Sequence, residues 1–369
     1  MADHRFRVGI VGLQPGRSWA ARAHIPALRA LANDYEITGV ANSSLASAKA
    51  AAVACGIPLA FADVAEMAKS PDIDIVAVTV KVPHHLEIVK VAIDAGKHVF
   101  CEWPLGNGLA EAEELAKLAQ AKGVLGVVGT QARVAPEIEY LRQLVADGFV
   151  GEVLSTTLVA RRSDFTSTIP NKKTYGYLLD RANGANLLTI PLGHTLAALR
   201  DVLGNVAELS AVLAIRQTAV LVIDTGEILE RTAPDQVLVS GLLESGAPIS
   251  IHYRGGTARG GGLLWEINGT KGDIQITATS EHAQMVQLTL QGANGDEKVL
   301  RQLDVPESYR SGWPEDVVPG NVARIYARMA SDLRNGTRTA PNFYDAVIVH
   351  RLIAAIEDAA ASGKRIRVS

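Results

Sequence analysis

Cysteine is scarce: Cys55 and Cys101 are the only two in 369 residues. That count excludes a disulfide framework and suits two reduced packing residues in apolar surroundings. Long apolar runs are missing too. No stretch reaches the ~18 residues that span a bilayer, and Met1 to Asp3 lead directly into a strand-like segment, with no space for a charged and apolar leader. Both absences point to the cytoplasm and away from the membrane. An excess of basic charge is the third absence. Lys and Arg total 36 against 39 Asp and Glu, giving a net charge of −3 and a pI near 6.3. No global positive field draws in a phosphate backbone, so direct nucleic-acid binding is not expected.

What is present is the composition of an ordered protein: 48% hydrophobic and 20% charged residues, enough to bury a large interior. At this length two domains are expected, with boundaries at 1–130 and 131–369. The first 130 residues alternate strand and helix patterns. Strands are expected at Arg7 to Val11, Glu36 to Ala41, Ile73 to Val80, His98 to Cys101 and Leu125 to Val128. Helices are expected at Ala20 to Leu31, Leu45 to Cys55, His85 to Ala95 and Leu109 to Ala121. Consecutive βα units of this kind fold as a doubly wound parallel sheet, with its ligand at the C-terminal strand edges.

Beyond Gly151 the pattern changes to alternating strands at Glu152 to Ala160, Val206 to Ala214, Gln236 to Leu243, Pro248 to Tyr253, Leu263 to Asn268, Gly272 to Thr277 and Met285 to Gln291. Turn pairs such as Asn294-Gly295 divide them, which predicts an α+β domain with a large open, mainly antiparallel sheet. Helical runs at Glu137 to Asp147, Leu187 to Leu203, Val322 to Asn335 and Tyr344 to Gly363 are available to cover one face. The uncovered face predicts a homodimer or homotetramer formed sheet to sheet.

The segment after the first strand, Val8-Gly-Ile-Val-Gly-Leu-Gln-Pro-Gly-Arg-Ser-Trp, is where a Rossmann fold cradles a diphosphate with backbone N–H groups and a helix dipole. Gly12 stands at the first glycine of the usual fingerprint, but Gln14 occupies the second, and Pro15-Gly16-Arg17-Ser18 reshape the loop. Arg17 and Ser18 can add charge-assisted hydrogen bonds to phosphate, and Trp19 can pack on the cofactor or on the protein. An NAD site usually carries an acidic residue at the end of the second strand. Here that strand ends Ala41-Asn42-Ser43-Ser44. Without a carboxylate to repel a 2′-phosphate, and with Ser43 and Ser44 as donors, the expected cofactor is NADP, with NAD the alternative.

The phrase Phe100-Cys101-Glu102-Trp103-Pro104-Leu105, with Thr79 to His85 before it and Gly269-Thr270-Lys271-Gly272-Asp273 later, resembles the Gfo/Idh/MocA oxidoreductase family. Gly12-Leu13, Trp19-Ala20, His24, Pro26-Ala27, Gln131, Arg133, Pro136, Asn183-Gly184, Gly193-His194-Thr195 and His350-Arg351-Leu352-Ile353 are similar to the branch that includes the galactose-regulon repressor of yeasts. The resemblance covers nearly the whole chain. It implies a Rossmann domain joined to an open sheet, a nicotinamide cofactor near Thr79, Val80, His84, Glu102, Trp103, Gln131 and Arg133, and a sugar or cyclitol substrate. Two departures stand out. Trp103 replaces the family's lysine, and Ile190 replaces the aspartate of its Asp-x-Gly-x-His pattern, while His194 remains. An indole offers one N–H and no cation, so it can wall the nicotinamide but cannot carry its proton.

Oxidation of an alcohol by hydride transfer needs a base within hydrogen-bond reach of the hydroxyl. His194 is the leading candidate, because imidazole titrates near neutrality; the competing interpretation is a buried histidine satisfied by backbone. Tyr177 and Lys81 are further catalytic candidates, and Asp180 and Arg133 are cleft residues that can share the work. Arg161-Arg162 and Lys172-Lys173 can attract an acidic or phosphorylated ligand, although solvated surface charge is the commoner explanation. His84 and His85 are adjacent and lack a third ligand at metal spacing, so no metal is expected. Two functions stay open: an NAD(P)-dependent oxidoreductase acting on a sugar, polyol or small carbonyl compound, and a catalytically silent dinucleotide sensor with a protein partner.

Overall fold

The computed structural model describes residues 5–161, 165–256 and 259–368. It contains two compact units, one made of residues 1–131 and 312–348, the other of residues 132–311 and 349–369.

The first unit is built on six parallel strands: β1 (Phe6–Val11), β2 (Tyr35–Ala41), β3 (Leu59–Phe61), β4 (Ile75–Val78), β5 (His98–Glu102) and β6 (Gly126–Gly129). Their order is β3-β2-β1-β4-β5-β6, so the chain starts in the middle, runs to one edge and returns beside β1. The crevice of such a sheet opens at the β1/β4 switch point. All four residues of β4 are buried, as expected of a strand covered on both faces. Its helices are α1 (Ile25–Ala30), α2 (Leu45–Cys55), α3 (Val64–Lys69), α4 (His85–Asp94) and α5 (Leu109–Ala121).

Several elements differ from the sequence expectation. The helix expected from Ala20 to Leu31 is a π-helical turn, Ala20–His24, followed by α1. Pro26 sits in the first turn of α1, where its ring and missing N–H disturb the regular ladder just before it. The strand expected from Ile73 to Val80 is shorter, so Thr79 and Val80 lie beyond the sheet edge, in the loop. The short elements β3 and α3 carry too few residues to register as periodicity. Cys55, expected to be buried, is half-exposed at the end of α2, whereas Cys101 is fully buried.

The second unit carries α6 (Pro136–Ala146), β7 (Val153–Arg161), β8 (Thr168–Ile169), α7 (Lys172–Tyr175), α8 (Gly193–Leu203), β9 (Val206–Ala214), β10 (Ala219–Val222), β11 (Ile228–Glu230), β12 (Gln236–Leu243), β13 (Pro248–Arg254), β14 (Leu263–Gly269), β15 (Gly272–Ala278), β16 (Thr289–Asn294) and β17 (Arg301–Gln302). After α9 (Val317–Asn335) and α10 (Phe343–Ser362), β18 (Ile366–Arg367) closes the chain. Nine strands form one sheet, in the order β17-β16-β15-β14-β7-β13-β12-β9-β18. Among the described residues of this sheet only β7 and β13 pair in parallel. The buried face holds Leu158, Ile251, Tyr253 and Trp265, while Val212 and Leu238 stand exposed on the other. The strand expected from Met285 begins instead at Thr289. A separate three-stranded sheet, β11-β10-β8, buries Ile169, Leu179, Val220 and Val222 around its own small core.

Where the sequence suggests one cut at 130/131, the chain crosses back: α9 packs on the π-helical turn and α1 of the first unit. Its strongly two-sided pattern, with Val322, Ile325, Tyr326 and Met329 buried, gives it an apolar stripe that the parallel sheet layer covers. Among the described residues no helix is long and apolar enough to cross a membrane.

Candidate functional site

The loop after β1 is shaped by Gly12, whose φ of +99° lies in a region that disfavours side chains. A Cβ there would stand 2.8 Å from Val80 Cγ1 and 3.3 Å from the Thr79 carbonyl. Gly12, Thr79 and Val80 therefore meet at the switch point. The Thr79 hydroxyl and N–H both donate to the Val11 carbonyl, tying the ends of β1 and β4 together. Ser18 caps the following turn: its hydroxyl accepts from the Gln14 N–H at 2.9 Å and the Ala21 N–H at 3.3 Å, which aims the start of the helix at the loop. Gln14, Gly16 and Arg17 are exposed. The Trp19 indole N–H is shielded from solvent and finds no acceptor among the described residues.

At the end of β2, Asn42 donates through Nδ2 to the Leu13 carbonyl at 2.9 Å, latching the loop from the side. Ser44 is the N-cap of α2 and accepts from the Ser47 N–H at 3.2 Å, so its hydroxyl already serves the helix. Ser43 remains exposed.

The opposite end of the sheet edge is built differently. Glu102 closes β5 and is buried, and a cis peptide bond joins Trp103 to Pro104. The Glu102 carboxylate accepts from His24 Nε2 at 2.8 Å and from Gln131 Nε2 at 3.0 and 2.8 Å. The other nitrogen of His24 lies 2.8 Å from the Tyr326 hydroxyl, and Tyr35 donates to the Tyr326 carbonyl at 2.6 Å. Phe100 stacks on the Tyr326 ring at 4.6 Å. Burial holds the Tyr326 phenol well above its ordinary pKa, so it stays protonated. The side chains of Thr130 and Gln131 are buried, and Thr130 Oγ1 and Gln131 Oε1 lack partners among the described residues.

Lys81 and His84 are exposed in the loop after β4. His85, one residue on, is buried between the carbonyls of Pro104 at 2.8 Å and Val80 at 3.0 Å. It joins the β4 loop to the β5 loop, and burial lowers its pKa. Among the described residues no group of three or more potential metal ligands occurs.

The remaining candidates belong to the second unit. His194 is buried in the first turn of α8, and its neighbour Thr195 accepts from the Tyr253 hydroxyl at 2.6 Å. Ile190 lies in a π-helical turn, Leu188–Leu192, capped by Asn186. Tyr177 sits in a short 3-10 turn with its phenol pKa raised by burial, and its carbonyl accepts from Asn183. Asp180 caps the next turn. Arg133 forms a two-point bond with Asp201, at 2.6 and 2.9 Å, a geometry that anchors α8. Lys172 pairs with Glu227, and Arg162 lies outside the described residues.

Sequence reasoning missed the partnership of His24, Glu102, Gln131 and Tyr326. The residues are separated by up to 302 positions, and only the pattern of a histidine and a tyrosine on apolar helix faces hints at it. It also missed the Asn42 latch, whose signal is the polar residue at the strand end.

Two family models match the chain. The Gfo/Idh/MocA model, an oxidoreductase family with an NAD-binding Rossmann fold, matches residues 6–130, and the Gal80p C-terminal domain model matches residues 136–278. Dehydrogenase aclE of Aspergillus oryzae is 31% identical, over 98% of this chain and 97% of its own length. The super-repressor mutant of Gal80p from Saccharomyces cerevisiae superposes with a TM-score of 0.89 at 24% identity, covering 99% of this chain and 98% of that one. Levoglucosan dehydrogenase in complex with NADH and levoglucosan gives a TM-score of 0.85 at 22% identity, over 99% and 100%. Both structures share the fold.

Proposed function

Because the chain belongs to the Gfo/Idh/MocA oxidoreductase family, in the branch that contains Gal80, we propose that it binds NADP, or else NAD, and works in the cytoplasm as an oxidoreductase on a sugar, polyol or related small carbonyl compound. The observation that carries this reading is the Gly12 turn. Its open backbone, pressed against Thr79 and Val80, is the close approach that a diphosphate needs at a switch point. The orphaned indole N–H of Trp19 and the exposed Arg17 fit the same anion. Gly12, Gln14, Gly16, Arg17 and Ser18 would hold the diphosphate, and Ser43 the ribose end. Thr79, Val80, His84, Trp103 and Gln131 would flank the nicotinamide half. When bound, the nicotinamide accepts or supplies the hydride.

For the chain's own part, Trp103 walls the ring without moving a proton. The proton of the substrate hydroxyl is assigned to His194, with Tyr177 and Lys81 as the other candidates. Arg133, held through Nε and Nη2 by Asp201, would border the same nicotinamide half. A carbohydrate-like substrate is supported by the dehydrogenase relatives. A homodimer or homotetramer would form on the uncovered sheet face bearing Val212 and Leu238; a monomer in light scattering would remove that part.

The test is turnover. Protein given NADP or NAD and a panel of aldoses, polyols and anhydrosugars should change absorbance at the reduced-nicotinamide band, and His194→Ala should reduce that rate by about 100-fold or more. A second reading, a silent dinucleotide sensor for a protein partner, draws on Trp103 and Ile190 and on the match of residues 136–278 to the Gal80p domain. Dinucleotide binding without turnover of any panel member would favour it over the enzyme.

A further inference from the structure

The three-stranded sheet β11-β10-β8 turns one face to its own small core and the other to solvent. Side chains in β10 alternate between the two. Val220 and Val222 are buried, whereas Leu221 is 41% exposed and Ile223, just past the strand, is 63% exposed. Leu221 stands directly opposite Ile228 of β11, which is 69% exposed. Cross-strand partners project from the same face, so three large aliphatic side chains form one outward patch on this hairpin. Ala219 and Glu230, also paired and both exposed, extend it. A contiguous apolar patch with a polar rim marks a surface that another molecule covers.

The edge beside that patch is open. β11 ends the sheet, with β10 as its neighbour. The Glu227 carbonyl accepts from the Val222 N–H, and the Arg231 N–H donates to the Thr218 carbonyl. Those bonds face β10, so by alternation the N–H and C=O groups of Ile228 and Glu230 face away from the sheet. An extended segment laid there gains these hydrogen bonds, and its side chains meet Ile228 and Glu230 across the new ladder. The complementary neighbours are an apolar side chain opposite Ile228 and a Lys or Arg opposite Glu230. Glu227 is already paired with Lys172. A second copy of the hairpin does not supply the cation: residues 219–230 contain Asp224, Glu227 and Glu230 and no Lys or Arg. We propose that β11 is a docking edge for an extended segment of another protein, one that alternates apolar and basic residues on the face it shares with Ile228 and Glu230.

The test needs neither cofactor nor substrate. Its probe is a set of fluorescently labelled heptapeptides X-Thr-X-Thr-X-Thr-X, in which each X is Val, Lys, Glu or Ser, titrated by anisotropy against the full folded chain. Saturable binding is expected for members that alternate Val and Lys, with Lys preferred over Glu about three- to fivefold, the scale of one cross-strand charge pair. Glu230→Lys should reverse that preference, an outcome that a loss of folding does not produce. Ile228→Pro removes an N–H that β11 does not use in its own ladder and should abolish binding; if that variant does not fold, Glu230→Lys carries the test. No saturable binding in the set, equal binding of the Lys and Glu members, or a preference unchanged by Glu230→Lys overturns the proposal. Self-association in light scattering that disappears in Ile228→Lys also overturns it, because a second copy then covers the hairpin.

Discussion

The two ends of one sheet edge solve the same problem by opposite means. At β1 and β2 the chain offers a solvent-exposed loop whose geometry comes from backbone: a positive φ at Gly12, a serine cap and an asparagine latch. At β5 and β6 it offers buried side chains locked to one another, Glu102 to His24 and Gln131, and His24 to Tyr326. An exposed backbone cradle suits a hydrated, highly charged diphosphate. A buried network in which each side chain is held by the next keeps the ends of β5 and β6 in one arrangement.

That contrast is sharpest at Gly12. Gly12→Val puts a branched side chain at φ +99°, against Val80 and the Thr79 carbonyl. The expected outcome is about 100-fold weaker dinucleotide binding and ~1–3 kcal/mol lower stability, read by calorimetry and urea unfolding. Unchanged binding would mean that the exposed end is not the cradle.

A smaller effect distinguishes the buried end by pH. His85, wedged between the Val80 and Pro104 carbonyls, has its pKa lowered by burial from the ordinary 6.5. The unfolded chain takes up its proton near that ordinary value and the folded chain resists. Stability from this group is therefore present above about pH 6.5 and is lost as pH falls below it, at up to ~1.4 kcal/mol per pH unit. His98, also lowered by burial, adds the same sign. His85→Asn should flatten the decline in urea midpoint between pH 7 and 5; an unaltered slope would contradict it.

The smallest effect separates two neighbouring serines. Ser44→Ala should cost ~1 kcal/mol through the lost cap of α2 and leave NADP affinity unchanged. Ser43→Ala should weaken NADP roughly three- to fivefold, the scale of one hydrogen bond, while sparing NAD and stability. The reverse pattern would return the phosphate role to Ser44.

The same contrast explains what was legible in the sequence. The parallel sheet was readable because its strands are continuous apolar runs and its helices carry local caps, Gly56 and Gly96 among them. The long strands of the second sheet were readable from alternation and turn residues. Gly12 was visible because backbone demands leave a mark at the residue that meets them. Short pieces such as β3, α3 and β8 left too little pattern. The return of α9 to the first unit could not be seen, since an apolar stripe says that a helix is covered and not by what. The Glu102 network was hidden for the same reason: each member is ordinary where it stands, and only the fold joins positions 24, 102, 131 and 326. Ser44 is ambiguous in the sequence because a serine before a helix suits both a phosphate and a cap, and the fold shows the cap.

The account rests on a nicotinamide dinucleotide seating on the C-terminal edge of the parallel sheet. Its most direct test is calorimetric titration of the folded wild-type chain with NADP+ and NAD+. Saturable uptake of one molecule per chain, tighter for NADP+, is the predicted result; a folded chain that takes up neither contradicts the account.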